Sequence, residues 1–177
     1  DKSVSLINNF KEYFMRYGQT VYENPSPGNK KGGITTLEEK SLGCVQKGGL
    51  SKVVDVLTYG DRLSKCGLSL LNGPGNDIVA ITNLMASGVH IILFTTGRGT
   101  PFGAPAPTMK LSTNTPLAVK KANWIDFNAG GLVEGKAMDD EAKRLFDYVV
   151  DVASGKKVCS EEAGFHDMAI FKQGVTL

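Results

Sequence analysis

Strand-length apolar runs that alternate with helical segments constrain this chain more than any other feature it has. Residues 53–57, 68–71, 89–95, 108–112, 124–127 and 168–171 are short apolar runs, and segments of helical periodicity lie among them. Strands that are apolar throughout need cover on both faces, which is the mark of parallel sheets. The expected fold is therefore α/β, a mostly parallel sheet with helices on both faces in a Rossmann-like three-layer arrangement, in a single domain. With 177 residues, 41% of them hydrophobic and 21% charged, the chain can bury such a core without disulfide or metal.

The helical segments carry their own punctuation. Val4, Leu6, Ile7, Phe10, Tyr13, Phe14 and Tyr17 recur at spacings of three and four, and Gly18 ends the pattern. Residues 24–33 hold two prolines and three glycines, and the expectation there is a polar loop with no helix in it. Thr35 and Thr36, each with a glutamate three residues on (Glu38 and Glu39), open a helix by a capping box, and Gly48-Gly49 closes it. Further helices are expected over 78–86, from Pro116 to about residue 121, and over 139–153.

Charge and composition exclude several classes of function. Lys plus Arg is 20 against 18 Asp plus Glu, and basic residues cluster only in pairs, so neither charge nor pattern suggests a nucleic-acid partner. No apolar run approaches the ~18 residues of a membrane span, and no signal-peptide pattern opens the chain. Cys44, Cys66 and Cys159 are odd in number and far apart, which suits free thiols in a reducing cytoplasm. The start at Asp1, without Met, is read as a processed product or a piece of something longer.

The chemistry is expected at the strand ends. Polar, glycine-rich loops at 72–77, 95–100, 113–115 and 128–131 follow apolar strands, and ligands of open α/β sheets bind outside the carboxyl ends of the strands. These loops offer hydroxyls, amides, close backbone approach at glycine and one guanidinium, Arg98, which suits a polyhydroxylated anion. Any one such loop, taken alone, is better explained by turn geometry. Arg98, between two glycines, gains nothing from helix packing and is balanced between anion contact and plain exposure. Residues 72–77 lack the three-glycine spacing of a dinucleotide fingerprint, which disfavours a nicotinamide cofactor, and residues 28–35 lack that of a P-loop. No nucleophile elbow surrounds a Ser or Cys, and His90 and His166 have no partner at metal-pair spacing. Capping explains Glu39, although Glu39 and Lys40 also lie on the helix leaving the 24–33 loop, and a helix amino end favours an anion.

Three longer stretches carry a family resemblance. They are Asn24-Pro25-Ser26-Pro27-Gly28-Asn29-Lys30-Lys31-Gly32-Gly33 running on through Thr36 and Glu39 to Gly43, then Phe94-Thr95-Thr96-Gly97-Arg98-Gly99-Thr100-Pro101-Phe102-Gly103, and Trp124-Ile125-Asp126-Phe127-Asn128-Ala129-Gly130. With them the chain resembles the C-terminal part of the altronate and galactarate dehydratase family over nearly its full length. Residues 34–43, 75–77 and 170–177 are nearer the altronate branch. The Gly130-Gly131 pair looks like a small insertion in the family pattern.

The resemblance implies a cytoplasmic lyase of hexuronate breakdown that converts D-altronate to 2-dehydro-3-deoxy-D-gluconate and water. It implies a divalent metal, Fe2+ or Mn2+, with unknown ligands lying in part outside this chain. Residues 1–177 would be the C-terminal domain, with an N-terminal small β domain and a central region absent from it. The expected partners are a sugar acid and the rest of the full-length enzyme, with a homo-oligomer as a further possibility. Glu39 and Lys40 are the catalytic candidates; Asn24, Ser26, Asn29, Lys30, Thr95, Thr96, Arg98, Thr100, Asn114 and Asn128 are the substrate-binding candidates. Galactarate dehydratase, sulfolactate sulfo-lyase, a non-catalytic sugar-acid module and an oligomerising domain are the alternatives.

Overall fold

The computed structural model describes residues 1–19 and 25–174; the candidate Asn24 and the end of the 170–177 stretch lie outside the described residues. The chain forms two compact units, Asp1–Gly73 with Lys172–Leu177, and Pro74–Phe171. Every strand pairing is parallel, as expected of an α/β chain, and the strands fall into two sheets, one in each unit.

The first unit opens with α1 (Lys2–Arg16), whose aromatic residues pack on one another, Phe10 on Phe14 and Tyr13 on Tyr17, each pair with ring centroids 5.0 Å apart. No residue of this helix is buried. A short helix, α2 (Pro27–Lys31), corrects the expectation of a helix-free loop. Pro27 occupies its first turn, where a proline's missing N–H has no intrahelical partner to lose, and Ser26 caps it by accepting from Asn29 N. α3 (Leu37–Lys47) begins at the capping box as expected, with Thr36 as the cap. β1 (Val53–Leu57) and β2 (Leu68–Leu71) then pair in parallel.

The second unit carries α4 (Asp77–Ala86), β3 (Ile92–Thr96), β4 (Thr108–Ser112), α5 (Thr115–Lys120), β5 (Phe127–Asn128), a 3-10 turn (Gly130–Leu132), α6 (Met138–Ala153) and α7 (Cys159–Glu162). The sheet order is β3-β4-β5, and the central strand β4 is buried at every position. Side-chain alternation sorts its core into two layers. Met109 and Leu111 of β4, with Phe127, meet Val152 of α6 and Val158. On the other face, Ile92 and Phe94 of β3 meet Ile81 of α4 and the return segment at Phe102 and Ala104. Helices thus cover both faces of this sheet.

Three expected strands differ from those observed. The run 89–95 pairs only from Ile92, and the run 124–127 pairs only at Phe127 and Asn128. Residues 168–171 form no strand, because Ala169 N donates to Thr82 Oγ1 of α4 instead of to a sheet edge. Among the described residues no helix is long and apolar enough to cross a membrane.

Gly130 marks the tightest approach in this unit. A Cβ there would lie 2.3 Å from Thr115 N and 2.6 Å from Thr115 Oγ1, so backbone would have to move. Gly130→Ala is expected to cost about 1–3 kcal/mol of stability, the usual range for overpacking. Urea unfolding measures it, and an unchanged midpoint would mean that the start of α5 yields freely.

Candidate functional site

The three strands of the second unit end level with one another. Thr96 pairs in register with Ser112, and Ser112 with Asn128. The loops that follow therefore leave one edge of the sheet side by side, as parallel strands require. Three of the four expected loops share this edge. The fourth, residues 72–77, is the passage from the first unit to the second.

The loop after β3 is fixed from several sides. Thr96 Oγ1 accepts from Gly99 N (2.9 Å) and Arg98 N (3.4 Å), closing the turn. Asn114 donates from Nδ2 to Gly97 O (3.1 Å) while its Oδ1 accepts from Leu117 N (2.9 Å), capping α5. Gly99 has φ +84°, and a Cβ on it would meet Leu117 at 3.1 Å, so both conformation and space call for glycine. Arg98 rides on this turn, exposed, and among the described residues its guanidinium has neither hydrogen bond nor ion pair. Thr100 follows, half-buried. Thr95 is exposed and, by strand alternation, on the sheet face opposite Thr96.

Asn128 is engaged within the edge. Its Oδ1 accepts from Gly130 N (2.8 Å) and its Nδ2 donates to Thr115 Oγ1 (3.0 Å). Arg144 of α6 secures the same strand end by donating to Asn128 O (2.7 Å) and to the Glu141 carboxylate, with its guanidinium 4.2 Å from the Phe127 ring centroid. The Arg144 hydrogen bond holds the buried Glu141 carboxyl below the usual range. Neither Arg144 nor Glu141 was expected here; their spacing of three on a helix was the available signal.

In the first unit, Ser26 donates to Asn29 Oδ1 (3.1 Å), and Lys40 Nζ reaches the same oxygen at 3.5 Å, so these three candidates come together while Lys30 stands exposed. Glu39 turns back on its own helix start. One carboxylate oxygen accepts from Thr35 N (2.7 Å), Thr35 Oγ1 (2.8 Å) and Thr36 N (3.2 Å). The Thr35 backbone bond first, then the Thr35 hydroxyl and Thr36 N–H, lower its pKa. Such a carboxylate is a weak base.

The sequence reading passed over Lys110. It stands in the central strand, 1% exposed, and donates from Nζ to Thr100 O (2.9 Å) and to Phe102 O. Its signal was a lysine within an otherwise apolar and hydroxylic run. Asp126 spans two elements nearby, accepting from Lys110 N (2.7 Å) and Cys159 N (2.8 Å). Burial first, then Asp126, pushes the Cys159 thiol up to about 12, so it is no thiolate nucleophile. Among the described residues no three or more His, Cys, Asp or Glu side chains gather as a metal-binding set.

Comparison with known proteins covers the whole of this geometry. The family described as D-galactarate/Altronate dehydratase, C-terminal, matches residues 1–176. Altronate dehydratase of Escherichia coli (strain K12) is 56% identical over 177 residues, 100% of this chain and 36% of that protein. Altronate dehydratase of Bacillus subtilis (strain 168) is 57% identical, over 99% of this chain and 36% of its own length. Galactarate dehydratase (L-threo-forming) of Escherichia coli (strain K12) is 45% identical over 163 residues, 89% of this chain and 31% of that protein. The chain thus spans about a third of the length of these relatives.

The Glu39 cap gives a titration test. A carboxyl whose folded pKa is depressed contributes stability that is present above its unfolded pKa, about 4.3, and is lost as pH falls through the folded value. Carboxyl-resolved NMR should show Glu39 titrating below about 4.3, and Thr35→Val should raise its midpoint by removing one donor. A midpoint at or above the ordinary glutamate value would contradict the capping geometry.

Proposed function

The chain belongs to the D-galactarate/altronate dehydratase family as its C-terminal region, and from that membership we propose that it is part of a hydro-lyase converting D-altronate to 2-dehydro-3-deoxy-D-gluconate. The reading is supported by identity above 55% to two altronate dehydratases, against 45% to the galactarate enzyme. The reaction takes a proton from C2, beside the carboxylate, and expels the C3 hydroxyl as water. The enol formed becomes the 2-keto product on reprotonation at C3. C2–H is a poor acid and hydroxide a poor leaving group, so charge on the carboxylate must be stabilised as it grows.

Arg98 is the group on this chain suited to that task. Its turn is fixed by Thr96 and Asn114, and its guanidinium is exposed at the edge where the three strands end. A guanidinium forms two parallel hydrogen bonds to a carboxylate, which an ammonium cannot copy. Thr100 and Thr95 are the neighbouring candidates for sugar hydroxyls; Thr96, Asn114 and Asn128 brace the edge. In the first unit, any proton transfer falls to Lys40 sooner than to Glu39, whose oxygen is held by its cap.

The reading includes a divalent metal, Fe2+ or Mn2+, which when bound would act as a Lewis acid on the substrate oxygens. The described residues of this chain do not fit a complete site for it, and no step here is routed through it. A cytoplasmic location, a sugar-acid substrate, association with the remaining two thirds of the enzyme and a homo-oligomeric state complete the proposal.

Two measurements test it. Full-length enzyme should dehydrate D-altronate in preference to galactarate, and residues 1–177 alone should not turn it over; equal turnover by the isolated chain would place the whole chemistry here. Arg98→Lys in the full-length enzyme should lose about 1.5–3 kcal/mol of transition-state stabilisation, the range for a charged hydrogen bond, which is roughly ten- to a hundredfold in kcat/KM. An unchanged rate would remove Arg98 from the role, and a collapsed melting temperature would make it structural.

A further inference from the structure

The connection from β3 to β4 joins two parallel neighbours without a helix. Residues 97–107 instead run back across one sheet face without helix or strand, with Phe102 and Ala104 buried against Ile92 and Ile81. An irregular segment laid on a sheet face has no hydrogen-bond ladder of its own, so its inward carbonyls need another donor. Two of them, Thr100 O and Phe102 O, receive hydrogen bonds from the Lys110 ammonium, which also lies 4.7 Å from the Phe102 ring centroid. Beyond Phe102 the segment is tied both to the chain near the C-terminal end of the unit and to the start of β4. Gly103 N donates to Asp167 Oδ2 (3.3 Å), and Ala104 N to Thr108 Oγ1 (3.1 Å). No carboxylate is hydrogen-bonded to Lys110 Nζ among the described residues; Asp126 and Asp167 act on it only through space.

We propose that Lys110 is a positioning residue for the candidate site, strapping the 97–103 loop from below so that Arg98 is held at the sheet edge. The inference rests on the reading of Arg98 as the carboxylate anchor. Lys110 is shut off from solvent, so it touches no substrate; its effect passes through the carbonyls of Thr100 and Phe102, on either side of Pro101. The fold would tolerate an apolar side chain at this depth, but two inward carbonyls would then lack a donor. The loop would be expected to open before the strands do.

Native-state hydrogen exchange and kinetics on the full-length enzyme test this together. Lys110→Met should speed exchange at the Arg98, Gly99 and Gly103 amides at least tenfold relative to the β3 and β4 amides, and lower kcat/KM about tenfold. In the double variant with Arg98→Ala the two losses should not multiply, because Lys110 acts through the loop that carries Arg98. Multiplying losses, or lost activity with unchanged loop exchange, would overturn the proposal. If Arg98→Ala alone leaves turnover intact, the reading of Arg98 fails, and with it the positioning role, while the exchange data still report separately on the strap. Should Lys110→Met not fold, exchange in the unaltered enzyme decides. Loop amides that open together with β4 support the strap, and loop amides that open freely by themselves refute it.

Discussion

A buried ammonium under a helix-free connection is the interaction on which the second unit depends. Parallel neighbours are ordinarily joined by a helix, which satisfies its own peptides. Here the return from β3 to β4 is bare chain, and Lys110 supplies from the central strand the donors that a helix would have supplied internally. Burial pushes the Lys110 pKa down, and the Asp126 and Asp167 carboxylates oppose that shift. The cost of burying the cation is offset by two carbonyls and an aromatic face, a set of partners that leaves it charge-assisted without a salt bridge.

From that strap the rest of the edge follows. With the loop after β3 pinned, Asn114 reaches Gly97 O and starts α5; with α5 in place, Thr115 receives Asn128, and Gly130 is forced into a space no other residue fits. Arg144 and Glu141 close the arrangement from α6. Most polar side chains at this edge therefore brace one another, and few face outward. Arg98 and Thr95 are among those that do. An exposed guanidinium pairs with a carboxylate for only about 0–1 kcal/mol in water. The larger effect expected of it requires a substrate withdrawn from water, a condition that suits a chain spanning about a third of its relatives' length.

The parts of the fold legible in the sequence were those governed by neighbours along the chain. The Thr36 capping box and the strand 108–112 follow from local periodicity and side chains three or four residues away. Where the outcome depended on distant partners, local rules misled. Residues 168–171 failed to pair because Thr82 of α4 offered another acceptor, whereas the helix at 27–31 has a local cause, a proline permitted at a first turn and Ser26 as its cap. The candidate residues divide in the same way: Arg98 stood out by its place between glycines, whereas Lys110 looked like an ordinary strand residue until its partners ten and eight positions back were brought over it.

The sequence by itself determined the α/β class, the parallel sense of the strands, the family, and the placing of polar loops at strand ends, because hydrophobic period and turn chemistry are written in consecutive residues. Only the tertiary structure decided that the strands divide into two sheets, that Thr96, Ser112 and Asn128 end level, and that the Asn128 side chain is engaged by Gly130 N and Thr115. It alone decided that a buried lysine holds the loop of Arg98. Register and burial are set by which surfaces meet, and a side chain's hydrogen-bond partners are fixed only when those surfaces close.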